Sequence, residues 1–162
     1  MESWCGLCRV RHRRAVGWLV GADEVRSVTP DQTALILATA DAAFVGGHFA
    51  ARFYDHLFAS APELRILFGT DLTALKLKFM NTLASLVGSL QHPVIFDSIL
   101  MHLGRQHRRF GVLPAYYGPV GEALLATLHD ILDERWTPDV SAAWAALYAE
   151  IAQRMKEGAR AG

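Results

Sequence analysis

Two places in the chain carry side chains suited to chemistry. The first is His107, which follows Leu103 by four residues and continues an apolar helical stripe made by Phe96, Ile99, Leu100 and Leu103. An imidazole on such a face has two readings. It is a core histidine satisfied by one hydrogen bond, or it offers a single strong nitrogen donor to a five-coordinate iron in a dry pocket. The second place is Trp4-Cys5-Gly6-Leu7-Cys8, a pair of thiols in redox-motif spacing. A low-pKa thiolate needs a helix N-terminus behind a buried strand, and only four residues precede Cys5. The residue after Cys8 is Arg9 rather than His, so covalent c-type attachment of a haem is not indicated. Cys5, Cys8 and His12 offer three metal ligands without a fourth nearby, which leaves an exposed tail with two reactive thiols as the plainer reading.

The elements that must position His107 are helices throughout. Thr29-Pro30-Asp31-Gln32 is a helix start, with Thr as N-cap, Pro in the first turn and Gln three residues on. The helix it opens reaches about Phe44. Gly46-Gly47 either breaks it or allows a close crossing. A second helix is expected over His48 to Ala59, with Phe49, Phe53, Leu57 and Phe58 on one side. Ser60-Ala61-Pro62-Glu63 reads as a second capping box opening a short helix that ends near Phe68-Gly69. Asp71 caps the next, with Leu72, Leu75, Phe79, Leu83, Leu86 and Leu90 at helical spacing, and His92-Pro93 ends it. Further helices are expected over about residues 95–108, from Pro114 to about Leu132, and from Thr137-Pro138-Asp139 through Val140, Trp144, Leu147, Ile151 and Met155. No alternating strand pattern and no internal repeat is present. The expectation is an all-α domain of about seven helices of unequal length.

Composition narrows the function classes. The 162 residues are 52% hydrophobic and 20% charged, which supports a sizeable core and excludes a disordered chain. Lys+Arg and Asp+Glu are both 16, so there is no basic excess of the kind that grips nucleic acid. With only two cysteines, a disulfide framework is not expected. No apolar run approaches the roughly 18 residues that span a bilayer. Residues 1–28 stand apart as an N-terminal extension expected to be flexible, with four of their arginines between positions 9 and 14. The apolar piece Ala15 to Ala22 is short and Gly-interrupted, so it makes a poor secretion signal, and a cytoplasmic location is expected.

Two blocks carry a resemblance. Phe53-Tyr54-Asp55-His56-Leu57-Phe58, followed by Pro62-Glu63-Leu64-Arg65-Ile66-Leu67-Phe68, is similar to the bacterial globins, specifically the haem domain of flavohaemoglobins and their single-domain relatives. So is His107-x-x-x-Gly111-Val112-x-Pro114-x-x-Tyr117-x-x-Val120-Gly121-Glu122-x-Leu124-Leu125. The resemblance covers about residues 29–157 and implies a globin fold over 29–162. It implies one non-covalent haem b, with His107 as the proximal iron ligand. It also implies Phe68 as the aromatic stacked on the haem, Tyr54 as the distal hydrogen-bond donor, and Tyr117 and Val112 on the proximal side. Glu157 falls near where such proteins place a glutamate beside the proximal imidazole.

This chain departs from the family at the distal position, where Gln or His is usual and Leu75 stands here. Leucine neither donates a hydrogen bond nor binds iron. Phe79, one turn on, is bulky and apolar and is expected to restrict the distal pocket. Lys78 is placed either to reach a haem propionate or to lie in solvent. The segment between Phe68 and Leu75 is shorter than in flavohaemoglobins, so the register here can slip by a turn. The implied functions are reversible binding of O2, and of NO or CO, or nitric oxide dioxygenation with an external reductase. The latter is expected to be external because the flavin- and nicotinamide-binding domains of flavohaemoglobins do not follow in these 162 residues. A haem-based gas sensor is a third alternative.

Overall fold

The computed structural model describes residues 28–69 and 71–161. Among them, six α-helices and three short 3-10 turns make the whole of the regular structure. The helices are α1 (Pro30–Phe44), α2 (Phe49–Ser60), α3 (Leu72–Gly88), α4 (Pro93–Arg109), α5 (Tyr117–Leu132) and α6 (Pro138–Arg160). No single described helix is long and apolar enough to cross a membrane. The redox-spaced Cys5 and Cys8, His12 and the extension up to residue 27 lie outside the described residues. Val28, the last residue assigned to that extension, is buried, and its N–H donates to Glu150 of α6.

Several helix starts form as their residues require. Thr29 and Gln32 exchange side-chain and backbone hydrogen bonds in a complete capping box. Asp71 accepts from the Thr73 N–H, and Thr137 from the Val140 N–H. Two expectations are corrected. The Ser60 hydroxyl turns back onto the carbonyls of His56 and Leu57, so it caps nothing, and Pro62–Leu67 winds as a 3-10 helix. Pro93 does not follow a helix end at a distance but occupies the first turn of α4, where a missing N–H costs nothing, so α4 starts two residues early. Gly46 and Gly47, both at positive φ, break the chain, and α2 leaves α1 at 96°.

The core runs through α1, α2, α5 and α6, with Ile36, Phe49, Leu57, Leu128, Trp144 and Leu147 almost wholly buried. The Trp144 indole N–H is satisfied by the Thr39 hydroxyl at 3.0 Å. The packing leaves one pair of neighbours apart. α3 leans on α1 and α2, α4 leans on α6, and α3 and α4 scarcely touch although they follow each other in the chain.

Candidate cofactor site

The space between α3 and α4 is a cleft of about 500 Å³. Its α3 wall is Lys78, Asn81, Thr82 and Ser85; its α4 wall is Ser98, Ile99, His102 and Leu103. The apolar face expected for α4 divides in two. Phe96, Leu100 and Gly104 are buried, while Ile99, Leu103 and His107 are half-buried at four-residue spacing. Because Ile99 and Leu103 line the cleft, His107 sits on the same stripe one turn further on. On α3, Leu75 likewise precedes Lys78 and Thr82 on the cleft-facing stripe. The first half of the expected α3 stripe, Leu72, Leu75 and Phe79, is only half-buried, whereas Leu83 and Leu86 are buried.

His107 is held by its own helix. Its Nδ1 lies 2.9 Å from the Leu103 carbonyl oxygen and must carry the proton to bond it. The lone pair is thereby left on Nε2, the tautomer a metal-binding imidazole uses. Burial lowers the pKa of the ring below its ordinary value, with the Leu103 bond opposing, so the neutral form is favoured. The backbone around it is locked by a Schellman end. Gly111 takes φ 77°, the Val112 N–H donates to the His107 carbonyl and the Gly111 N–H to Arg108. Val112 is thus fastened to His107, and the buried Tyr117 ring lies 6.4 Å from the imidazole.

Behind His107, α4 lies directly on α6. A Cβ on Gly104 would collide with the Met155 carbonyl, and one on Gly158 with the backbone of Met101. Gly104 and Gly158 therefore set the depth of α4 against α6, a role the sequence reading missed. A glycine inside an apolar helical stripe, at about 1 kcal/mol against alanine, was the available signal. His102, Ser85 and Ser98 of the cleft were also not singled out as site residues. Glu157 is not brought to His107. Its carboxylate is taken by Gln153 at 2.6 Å and Arg154 at 3.0 Å, chiefly the latter, which lowers its pKa.

The other side is an aromatic cluster. Tyr54 is 3% exposed and packs edge-on against Phe68, with ring centroids 5.5 Å apart, and against Phe79 at 6.0 Å. Phe79 stacks on Phe53 at 4.4 Å. Tyr54, Phe68 and Phe79, far apart in sequence, are therefore assembled into one unit, with Leu75 one turn before Phe79 on α3. Burial pushes the Tyr54 pKa to about 12, so its hydroxyl stays protonated. Lys78 is exposed at the cleft rim. Together these features suit a flat apolar group with a metal centre: an imidazole with a free Nε2, a tyrosine kept protonated, and two helices held apart. No three described His, Cys, Asp or Glu residues converge on a metal, so such a centre would take at most two ligands of these types from the described residues.

A family model for globins matches residues 51–155, from α2 into α6. The chain belongs to the globin family. This globin is 30% identical over 132 residues to a flavohemoprotein of Deinococcus radiodurans, covering 79% of the chain and 33% of that protein. It is 31% identical over 114 residues to the flavohemoprotein of Bacillus subtilis, covering 66% of the chain and 28% of that protein. The globin thus spans about a third of the length of these relatives. A shorter match, 38% identical over 61 residues, joins 38% of it to 42% of an anaerobic nitrite reductase of Oryza sativa subsp. japonica. In fold it is similar to a hexacoordinated heme protein from an anhydrobiotic tardigrade. The TM-score is 0.77 at 16% identity, over 86% of this chain and 99% of that one.

Proposed function

We propose that this globin binds one haem b non-covalently between α3 and α4 and takes up O2, and also NO or CO, at its iron. His107 Nε2 is the protein ligand, and the observation that carries the reading is its Nδ1 bond to Leu103, which presents the other nitrogen unprotonated. The haem supplies a coordination position for a diatomic gas. The chain's residues do the rest. Tyr54 would donate a hydrogen bond to the bound gas, Phe68 would stack on the haem, and Leu75 and Phe79 would exclude water. Val112 and Tyr117 hem in the imidazole, and Lys78 at the rim meets a propionate. The flavohemoprotein relatives and the heme protein of like fold support the cofactor.

Nitric oxide dioxygenation is the second reading, favoured by similarity to the flavohemoproteins over most of the chain. It requires an electron source outside these 162 residues. Ultraviolet–visible spectra of the purified ferric, ferrous and CO-bound forms test the first reading. A Soret band that shifts on reduction and again on CO is expected, and a chain without one would overturn it. Nitrate formed over many turnovers with an added reductase separates the second reading from simple gas binding.

A further inference from the structure

One aromatic ring separates His107 from a charge on another helix. Tyr117, buried at the start of α5, has its ring centroid 6.4 Å from that of the imidazole. On α6, the Lys156 ammonium lies over the same ring, 5.3 Å from its centroid. A lysine stem laid along an aromatic is ordinary surface packing. Here the charged nitrogen itself lies over the ring, on a half-buried residue, where the π face attracts a cation.

The ring that stands between them is itself held. The Tyr148 hydroxyl of α6 donates to the Tyr117 carbonyl. The Tyr148 ring fills the space beside Gly121, where a Cβ would strike it. The first turn of α5 is thus clamped to the helix that carries Lys156. No acid on the α4 side offsets the charge. Residues 98–121 contain no Asp or Glu and hold Arg105, Arg108 and Arg109. Glu157, next to Lys156 in the chain, is taken by Arg154 and Gln153. The His107 Nδ1–H goes to a neutral carbonyl, that of Leu103. The imidazole is therefore backed by a neutral acceptor and by positive charge.

We propose that Lys156, seated on Tyr117, is a positioning residue that biases the iron at His107 toward iron(II). The proposal rests on the haem reading above. When one electron is added, iron(III) becomes iron(II) and the centre loses one positive charge. A cation held nearby therefore opposes the ferric form more than the ferrous. The consequence is a globin that stays longer in the oxidation state that takes up O2.

The test uses the haem-loaded chain, with the ratio of iron(II) to iron(III) read from the Soret band at fixed applied potentials. Lys156→Met keeps an apolar stem against Tyr117 and removes the charge. It is expected to lower that ratio by about threefold to tenfold at a given potential. Lys156→Glu should lower it further. Lys156→Arg, which keeps a cation over the ring, should hold the parent value. In a cycle of Lys156→Met with Tyr117→Leu, the two effects should fall short of additive, because without the ring the ammonium swings into water. Should Tyr117→Leu lose helix content, Tyr148→Phe, which loosens the ring from α6, takes its place in the cycle. An unchanged ratio in Lys156→Met and Lys156→Glu would overturn the proposal alone. Equal shifts in Lys156→Met and Lys156→Arg would do the same, since packing rather than charge would then be the cause. Fully additive effects would overturn the route through Tyr117. Faster haem loss to apomyoglobin from Lys156→Met at an unchanged ratio would overturn the proposal and assign Lys156 to a propionate. No Soret band in the parent chain would overturn the haem reading and this inference with it.

Discussion

The two sides of the molecule that flank the cleft are built on different principles. On the α4 side, backbone does the holding. The His107 ring is tied to a main-chain carbonyl, its own carbonyl is tied to Val112, and the whole helix is set on α6 through Gly104 and Gly158. On the α2–α3 side, side chains do it. Tyr54, Phe68 and Phe79 are placed by ring packing, each such pair worth about 0.5–1.5 kcal/mol beyond burial. A backbone-built wall has few alternatives and fails abruptly. A packing-built wall can be resized one side chain at a time. Under the proposed function, the fixed wall would carry the iron ligand and the adjustable wall would face the gas.

The largest effect should come from disturbing the fixed wall. Gly104→Val places atoms where the Met155 carbonyl lies, and because that obstacle is backbone, α4 must lift off α6. Loss of stability of about 3 kcal/mol or more is expected, with loss of the Soret band, measured by urea unfolding and absorbance. A substitution of similar size on the adjustable wall, Phe79→Leu, should cost less, because flexible neighbours can close in.

Tyr54→Phe should leave the fold intact and change ligand release. A buried hydrogen bond contributes roughly 0.5–1.5 kcal/mol, and more to an acceptor bearing charge. O2 dissociation should rise several-fold to about tenfold in stopped flow, while CO, which carries less charge, changes much less. The effect should also persist at high pH. The Tyr54 pKa is raised to about 12, so the donor proton remains when an ordinary tyrosine near 10 has begun to lose it. The sign for stability follows. Above pH 10 the unfolded chain releases this proton first, so the fold should lose stability as pH rises toward 12. Tyr54→Phe should flatten that decline.

Leu75→Gln is the smallest change and the one that sharpens the register. Leu75 lies on the cleft-facing stripe of α3, so a glutamine there should add a second donor and slow O2 release by a few-fold. An unchanged rate would place the distal position a turn away on α3.

The two walls were also unequally legible in the sequence. Periodicity and caps gave α1, α3 and α6 at nearly their observed starts, because Thr29, Asp71 and Thr137 act locally. Ser60 misled because its hydroxyl had a nearer competitor in the preceding turn. His107, Tyr54, Phe68 and Tyr117 were named through the family resemblance, and the structure pairs Tyr54 with Phe68 and His107 with Tyr117. Gly104, Gly158 and the fate of Glu157 were not legible. Each depends on which face of α6 meets α4, a fact of tertiary packing that no local pattern encodes. The division of the α4 stripe into a buried line and a cleft line was hidden for the same reason.

The central claim is that His107 Nε2 is the iron's protein ligand. Resonance Raman spectroscopy of the ferrous, ligand-free globin and of His107→Gly tests it most directly. The account expects an iron–imidazole stretching band in the parent chain, its loss in His107→Gly together with weakened haem retention, and its return when free imidazole is added. An iron–imidazole band unchanged in His107→Gly would contradict it and transfer ligation to another histidine, with His102 in the cleft wall the first to test.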